Sequence, residues 1–188
     1  MGKVILDMSM SLDGFISALD ESDGRLHNWF FAPSGGEEGA DSAVIDESIR
    51  TTGAILMGRR AYNLGDEYDG FVDTPYRVPH VVLTHEIPEK AAKGETPFIF
   101  VTDGIESALA QAKAAAGDKN VVVGGGANIA QQYVKAGLVD EIQVHLVPVL
   151  LGAGIRLFDQ LSTEQIEMEI TRVIKSPEAT HLTYRVVR

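Results

Sequence analysis

The sequence predicts an α/β fold with three layers, in which helices cover both faces of a mixed and mostly parallel sheet. Short apolar runs of strand length recur at residues 54–57, 80–84, 98–101 and 121–123. Strands that are apolar on both faces are typical of parallel sheets with helices on each side. After Glu141 the apolar residues alternate instead, which predicts antiparallel strands and a C-terminal hairpin around residues 176–179.

The N-terminal segment is expected to form one strand, a turn and a long loop. Residues 3–10 predict a strand, because apolar side chains fall at every second position. Residues 11–16 predict a turn around Asp13-Gly14. Residues 20–40 are polar and rich in glycine, but they carry the cluster Trp29-Phe30-Phe31, and long loops in compact domains are usually functional.

Helices and strands then alternate, and we expect one domain over residues 1–188. Helices at 41–52, 105–116 and 128–136 are each followed by a glycine, at positions 53, 117 and 137, and glycine commonly ends helices. In chain order, the strands are expected at 54–57, 80–84, 98–101, 121–123, 142–146, 166–174 and 182–187. No internal repeat or linker interrupts this pattern.

The composition argues against several classes of function. A net charge of −11 does not suit a general nucleic-acid binder, which needs a basic surface. No apolar run approaches the roughly 18 residues of a membrane span. The N-terminus lacks the pattern of a signal peptide, so a cytoplasmic protein is expected. The chain has no cysteine, and its five histidines show no ligand spacing, so no metal site is expected.

The strongest local motif is a glycine-rich turn between a strand and a helix, Gly124-Gly125-Gly126-Ala127-Asn128. Glycines let a phosphate approach the backbone closely, and a helix start offers unpaired N–H groups and the positive end of its dipole. A diphosphate is the expected ligand, although the spacing is neither that of a Rossmann motif nor that of a P-loop. A tight turn without a ligand is the alternative.

Two further strand ends carry polar residues that could bind the same ligand, if the diphosphate at the glycine-rich turn belongs to a nucleotide. Arg59 and Arg60, after Gly58, stand at a predicted helix start, where a guanidinium can bind a phosphate monoester and favour NADPH over NADH. Thr84 and His85 directly follow the strand at 80–84. Alone, the arginines could be a surface pair and Thr84-His85 an ordinary loop. Ligands of open α/β sheets bind at the carboxyl ends of strands, however, where all three motifs lie.

Asp13 and Asp7 are the candidate catalytic residues. Asp13 is the first choice, to orient a substrate or to deliver a proton through water, although Asp-Gly is also a common turn pair. Asp7 is the second choice, because a carboxylate in a central strand is either paired or functional. Leu151 and Gly152, at a late strand end, could line the substrate cleft or form a plain turn. Trp29 could be a lid over the substrate or an apolar anchor.

Taken together, these motifs resemble the dihydrofolate reductase-like superfamily, and most closely its riboflavin-biosynthesis reductase (RibD C-terminal) branch. The segments that carry the resemblance, in the order of that family, are Ser11-Leu12-Asp13-Gly14-Phe15-Ile16, Met57-Gly58-Arg59-Arg60, Val82-Leu83-Thr84, Gly124-Gly125-Gly126-Ala127, Gly137-Leu138-Val139-Asp140-Glu141-Ile142 and Pro148-Val149-Leu150-Leu151-Gly152. The resemblance implies a dihydrofolate reductase-like fold, NADPH as the hydride donor and a homodimer.

The resemblance also implies roles for particular residues. Gly14, Phe15 and Ile16 would cover the nicotinamide, Gly124–Asn128 would hold the diphosphate, and Gly58, Arg59 and Thr84 would hold the adenosine side. In the biosynthetic enzymes the resemblance implies a lysine in the first strand and an acidic residue just before the glycines. Here these positions hold Asp7 and Gly124, so the substrate site differs.

The expected reaction is hydride transfer from NADPH to a small pyrimidine-type heterocycle, which includes the 5-amino-6-(5-phosphoribosylamino)uracil of riboflavin synthesis. Dihydrofolate reduction is one alternative. Asp41 lies near the place where dihydrofolate reductases hold the pterin with a carboxylate. A non-catalytic nucleotide-binding module is the other alternative, since intact cofactor motifs beside a divergent substrate site fit both readings.

Overall fold

The computed structural model describes residues 2–19, 25–33, 39–90, 92–159, 161 and 165–187. Its helices are α1 (Asn28–Phe31), α2 (Ala40–Thr51), α3 (Arg59–Tyr68), α4 (Ile105–Ala116) and α5 (Ala127–Lys135). The helices expected at 41–52, 105–116 and 128–136 are confirmed within one residue at each end. Within the described ranges, none of the helices has the length and apolar character needed to cross a bilayer.

Ten strands form the rest of the regular structure. They are β1 (Val4–Ser11), β2 (Phe15–Ser17), β3 (Thr52–Gly58), β4 (His80–Leu83), β5 (Phe98–Val101), β6 (Asn120–Val123), β7 (Glu141–Val147), β8 (Ile155–Arg156), β9 (Met168–Lys175) and β10 (Thr180–Val186). Eight of them form one sheet in the order β5-β4-β3-β6-β1-β7-β10-β9, and β2 pairs with β8 apart from it.

The large sheet is mixed and mostly parallel, as the sequence predicts. Its strands from β5 to β7 pair in parallel, whereas β10 runs antiparallel to both β7 and β9. The carboxyl ends of the six parallel strands therefore lie along one edge of the sheet. In open α/β sheets this edge is where ligands bind.

Side chains that alternate along the strands divide the interior between the two faces. Leu56 of β3 packs with α4 and α5 in the largest apolar cluster. Its neighbours Ile55 and Met57 point the other way and pack with Tyr62 of α3. Ile55 also lines a cavity with Val44 of α2, so α2 covers the same face as α3. Helices thus cover both faces, which confirms the three-layer arrangement.

Gly53 does not end helix α2, in contrast to the sequence prediction. The helix ends at Thr51 and the chain enters β3 directly, with Gly53 inside the strand. A Cβ atom at Gly53 would lie 2.5 Å from the carbonyl oxygen of Ala116 at the end of α4. The glycine is needed for this close approach of strand and helix, not for a helix cap.

Two segments expected to be irregular contain regular structure. Residues 15 and 16, expected to lie in a turn, form β2 together with Ser17, and β2 pairs with β8. The aromatic cluster expected in a long loop forms the short helix α1, which buries Trp29. Residues 20–24 and 34–38 of that predicted loop lie outside the described residues.

Candidate active site

The carboxyl ends of β3 and β6 meet at the two glycine motifs predicted to bind the cofactor. The N–H of Gly58 donates a 3.1 Å hydrogen bond to the carbonyl oxygen of Gly125. A Cβ atom at Gly125 would lie 2.8 Å from the Cβ atoms of both Met57 and Ala61. Gly125 is therefore required by the packing of β6 against β3 and α3, independently of any ligand.

Gly126 precedes helix α5 and leaves open space beside its backbone. Its φ is +94°, a region that favours glycine, and no atom lies within 4 Å of an added Cβ. Helix α5 starts at Ala127 and has nine residues, so its unpaired N–H groups and positive dipole end lie next to this space. This corner fits a diphosphate. The Asn128 side chain accepts a hydrogen bond from Gln132 within the helix.

Arg59 and Thr84 meet beside the ends of β3 and β4. The Nη1 atom of Arg59 lies 3.4 Å from the Oγ1 atom of Thr84 and donates a 2.5 Å hydrogen bond to the carbonyl oxygen of Glu86. Its Nε atom donates to the side chain of Asn63 at 2.8 Å. The Thr84 hydroxyl also donates to the Glu86 carbonyl, at 2.8 Å. These contacts hold the guanidinium at the edge of the sheet where a phosphate monoester would be bound.

Arg60 and His85 lie beside this group and are exposed. The direct contact between Arg59 and Thr84 makes these two residues the cofactor candidates that the proposal below uses.

A cavity of about 230 Å³ adjoins the glycine-rich turn on the α2 face of the sheet. We call it the aromatic cavity, since Trp29, Phe30 and Tyr76 form much of its wall. Asp7 is the only acid among the described residues that line it, and Gly124 lines it as well. An apolar pocket with few polar groups is typical of sites for small ring compounds. A second, polar cavity of about 180 Å³ shares Asp7 and His145 with it.

Asp7 is the outer end of a chain of three hydrogen bonds between titratable side chains. Its Oδ1 lies 2.8 Å from Nε2 of His145, and the Nδ1 atoms of His145 and His181 lie 2.7 Å apart. The Nε2 atom of His181 lies 2.9 Å from Oδ1 of Asp41. The Asp7 side chain is 17% exposed and that of Asp41 is fully buried. The chain therefore runs from the cavity wall into the interior.

The register between the strands places the side chains of this hydrogen-bond chain next to each other. His181 of β10 stands directly opposite His145 of β7, and His145 stands opposite Ser9 of β1. Asp41 lies in the first turn of α2 and lines neither cavity. It is linked to the two cavities by the hydrogen bonds through His181 and His145, and a direct contact of Asp41 with a pterin stays a prediction. Burial lowers the pKa of His181, against the opposing effect of Asp41.

Trp29 and Tyr76 are fixed parts of the cavity wall. The indole N–H of Trp29 donates a 2.9 Å hydrogen bond to the Ser9 hydroxyl, and its ring lies 4.1 Å from that of His145. Only 6% of Trp29 is exposed, which fits an anchor better than a lid. The Tyr76 hydroxyl lies 2.9 Å from that of Ser48. Burial, with the nearby charge of Asp7, raises the pKa of Tyr76 to about 12, so it is neutral.

Asp13, the first catalytic choice from the sequence, accepts three hydrogen bonds that stabilise the turn after β1. Its Oδ1 accepts hydrogen bonds from the Ser11 hydroxyl at 2.6 Å and the Leu151 N–H at 3.1 Å. Its Oδ2 accepts from the N–H of Gly152 at 2.7 Å. The Ser11 hydrogen bond, with these backbone donors, lowers the pKa of Asp13 to about 2. A carboxylate that stays ionised at neutral pH is a poor proton donor, which disfavours Asp13 for that step, and the catalytic roles of Asp13 and Asp7 both stay predictions.

The predicted nicotinamide contacts form a compact corner next to Asp13. Gly14 has a φ of +90° and accepts a hydrogen bond from the N–H of Leu157. Phe15 is buried under the guanidinium of Arg156, 4.4 Å from its ring centre. Ile16 packs against the main apolar cluster. Contact of these residues with a nicotinamide stays a prediction.

His145, His181 and Tyr76 are not among the site residues expected from the sequence. The alternation of Ile142, Val144 and Leu146 was available as a signal, because it puts His145 on the opposite face of β7. Within the described ranges, no group of three or more His, Asp or Glu side chains is arranged to hold a metal ion.

The fold and the strand-end motifs agree with one protein family. The RibD C-terminal domain family matches residues 2–182. The chain belongs to this family. Its curated relative YyaP, an uncharacterized protein of Bacillus subtilis (strain 168), is 25% identical over 181 residues, which cover 93% of this chain and 90% of YyaP.

Two solved structures illustrate the shared fold. A Shewanella sp. PV-4 protein, provisionally described as a riboflavin biosynthesis protein, has a TM-score of 0.80 at 23% identity over 99% of both chains. Dihydrofolate reductase from Enterococcus faecalis, complexed with NADP(H), has a TM-score of 0.59 at 17% identity. That match covers 98% of this chain and 96% of the reductase. These likenesses confirm the dihydrofolate reductase-like fold.

Proposed function

We propose that this protein is an NADPH-dependent reductase that transfers a hydride to a small pyrimidine-type heterocycle. The observation that carries the proposal is that Gly124 belongs both to the glycine-rich turn and to the wall of the aromatic cavity, together with Asp7. Hydride transfer requires donor and acceptor atoms roughly 3–3.5 Å apart. A cofactor loop that borders the substrate cavity would bring the bound cofactor next to the substrate.

The described residues support NADPH as the cofactor. The open backbone at Gly126 and the start of α5 would hold the diphosphate. Arg59, with Thr84, would hold the additional phosphate that distinguishes NADPH from NADH. When bound, NADPH would supply the hydride. Membership in the RibD C-terminal family supports the same assignment.

The aromatic cavity supports a flat substrate that donates hydrogen bonds. Trp29, Phe30 and Tyr76 offer ring faces for stacking. The Asp7 carboxyl group can accept hydrogen bonds from ring N–H or amino groups, and in its acid form it can also donate one to a ring nitrogen. Aminopyrimidines and pterins both present such groups next to a reducible double bond.

Charge pairing favours a substrate without a phosphate over 5-amino-6-(5-phosphoribosylamino)uracil. Lys3 and Arg172, the basic residues that line the polar cavity, are engaged with Glu141 and Glu47, each at 2.5 Å. A phosphate there would have to displace a carboxylate from one of these pairs. Dihydrofolate remains a candidate, because a pterin presents the N–H donors that Asp7 would accept.

A substrate screen tests the proposal. NADPH oxidation would be followed with aminopyrimidines, their ribosyl phosphates and dihydrofolate, using the wild type and Asp7→Asn. We expect turnover with an unphosphorylated heterocycle, and a loss of about 10²-fold or more in kcat/KM for Asp7→Asn. Asp13→Asn is the matched control and should keep most of the activity. NADPH binding without oxidation of any of these substrates would support a nucleotide-binding module instead.

A further inference from the structure

The hydrogen-bond chain Asp7–His145–His181–Asp41 lies beneath the substrate cavity and away from the cofactor motifs. We propose that it is a proton relay: Asp7 gives the proton that accompanies hydride transfer, and the histidine pair moves the resulting negative charge to Asp41. This inference rests on the proposed reductase function. His145, His181 and Asp41 would be positioning residues, since they act on the substrate only through Asp7.

The geometry couples the protonation states of the four groups. Each of the three contacts, at 2.8, 2.7 and 2.9 Å, is a hydrogen-bond distance. The Nδ1 atoms of His145 and His181 face each other, so one must carry a proton and the other must not. The ring tautomer of either histidine therefore fixes that of the other, and each also faces a carboxylate.

Before transfer, the chain would hold four protons and no net charge. Asp7 is then a carboxylic acid with its proton on Oδ2, while Oδ1 accepts from Nε2–H of His145. The Nδ1 atom of His145 accepts from Nδ1–H of His181, and the doubly protonated His181 donates from Nε2 to the Asp41 carboxylate. An imidazolium next to a buried carboxylate forms an ion pair, which reduces the cost of burying both charges.

Hydride transfer then proceeds with a balanced proton. The carbon of a substrate C=N bond accepts the hydride and its two electrons, the π pair moves to nitrogen, and that nitrogen takes the Oδ2 proton of Asp7. The substrate is reduced and NADPH is oxidised to NADP⁺. Two shifts follow: from Nε2 of His145 to Oδ1 of Asp7, and from Nδ1 of His181 to Nδ1 of His145. Asp7 is again an acid, both histidines are neutral, and the negative charge lies on Asp41.

The surroundings favour this direction of charge movement. Asp41 lies in the first turn of α2, where the positive end of the helix dipole stabilises an anion. Burial lowers the pKa of His181, which favours the loss of its proton during transfer, whereas the hydrogen bond to Asp41 acts in the opposite direction and supports the doubly protonated form before transfer. The ring of Trp29 lies 4.1 Å from that of His145 and 4.9 Å from that of His181. Asp7 and His145 both line the aromatic cavity, and Asp7 is the one acid among its described lining residues, so the proposed proton path leads through Asp7.

The other charged groups around the hydrogen-bond chain are paired with an opposite charge or are neutral. The ion pairs Lys3–Glu141 and Arg172–Glu47 also line the polar cavity, with Lys3 just before β1 and the other three residues in β7, β9 and α2. Tyr76 is neutral, and His27 lines the aromatic cavity. The polar cavity is lined by Asp7, His145 and His181, so solvent there can return a proton after each turnover.

The relay is tested first by nitrogen NMR of the histidine rings in the ligand-free protein, using the wild type and Asp41→Asn. Asp46→Asn is the matched control, because Asp46 lies in the same helix and is exposed. In the wild type we expect the signals of an Nε2–H tautomer for His145 and of an imidazolium for His181. Asp41→Asn should change the ring signals of His145, two hydrogen bonds away, and Asp46→Asn should not. If Asp41→Asn does not fold, His181→Gln gives the same comparison.

The second readout is the pH profile of kcat for NADPH oxidation. Asp41→Asn should displace it by about one pH unit or more, because the relay loses its terminal charge. Unchanged His145 signals, or a lower kcat with the wild-type profile, would overturn the relay. Failure of the reductase function is seen separately, as a wild type that does not bind NADPH. In that case no reduced substrate would be there to accept the proton of Asp7. The NMR comparison would still show whether the four groups share protons.

Discussion

The backbone N–H of Gly58 lies 3.1 Å from the carbonyl oxygen of Gly125, in a hydrogen bond between two loops that follow neighbouring strands. This contact fixes the start of α3, which carries Arg59, against the turn that leads into α5. The two ends of the proposed nucleotide site are therefore coupled through backbone packing. A change at Gly125 should affect both stability and cofactor affinity.

We predict that Gly125→Ala destabilises the protein by about 1–3 kcal/mol, because its Cβ would meet Met57 and Ala61 at 2.8 Å. It should also weaken NADPH binding, because the loops that follow β3 and β6 would have to move apart to make room for the new Cβ atom. Urea unfolding and a binding titration measure the two effects. Gly117→Ala is the control: its φ of +60° is unfavourable for alanine, but nothing lies within 4 Å of the new Cβ. It should lower stability alone, and equal NADPH affinity in both variants would contradict the coupling.

Arg59 should determine the preference between the two nicotinamide cofactors. Arg59→Ala is expected to weaken NADPH binding several-fold and to leave NADH binding nearly unchanged, because only NADPH has the phosphate monoester. Fluorescence titrations with both nucleotides measure this preference. Arg60→Ala, at the exposed neighbouring position, should have a smaller effect. An equal loss of affinity for both nucleotides in Arg59→Ala would argue against the phosphate contact.

Asp13 should contribute to stability at neutral pH and not in strong acid. Its folded pKa is lowered to about 2, chiefly by the Ser11 hydrogen bond, so the folded state favours the ionised carboxylate. The stabilisation is present above the ordinary pKa of about 3.9 and is lost as the pH falls through about 2. Asp13→Asn should therefore reduce the free energy of unfolding at pH 7 and have a smaller effect near pH 2. The same loss at both pH values would contradict this assignment.

His80 should make the protein less stable below neutral pH. Its ring is buried and hydrogen-bonded to the Val78 carbonyl at 2.8 Å, and burial lowers its pKa. An unfolded histidine binds a proton near pH 6.5, so the unfolded state takes up the proton first as the pH falls. Stability is then complete above about 6.5 and is lost as the pH falls through the lowered folded pKa. His80→Asn should make the free energy of unfolding depend less on pH between pH 7 and 5. Part of the pH dependence should remain, because burial also lowers the pKa of His181.

The sequence was sufficient for the fold and for the edge of the sheet where the cofactor motifs lie. Short apolar runs predict parallel strands from local information, and residues such as Gly126 mark the connections between strands and helices. The charged end of the cofactor site follows, because Arg59 and Thr84 each come directly after a strand. Parallel strands bring such residues together whatever the exact order of the sheet.

The hydrogen-bond chain could not be predicted from the sequence, because it depends on pairing between distant strands. His145 and His181 are 36 positions apart, and Asp7 and His145 are 138 apart. Alternation along β7 places His145 on one face, but it does not say which strand lies beside it. The surroundings of Asp13 depend on distant residues in the same way. The N–H groups of Leu151 and Gly152, which donate hydrogen bonds to its carboxylate, are 138 and 139 positions away.

The most direct test uses Trp29, the only tryptophan in the sequence, which lies in the wall of the aromatic cavity. The chain would be titrated with NADPH while energy transfer from Trp29 to the nicotinamide is recorded, with Trp29→Phe as the blank. We predict saturable quenching of Trp29 and matching nicotinamide emission, with clearly tighter binding of NADPH than of NADH. No saturable transfer at NADPH concentrations up to about 1 mM, the upper range of typical enzyme KM values, would contradict a hydride donor beside this cavity.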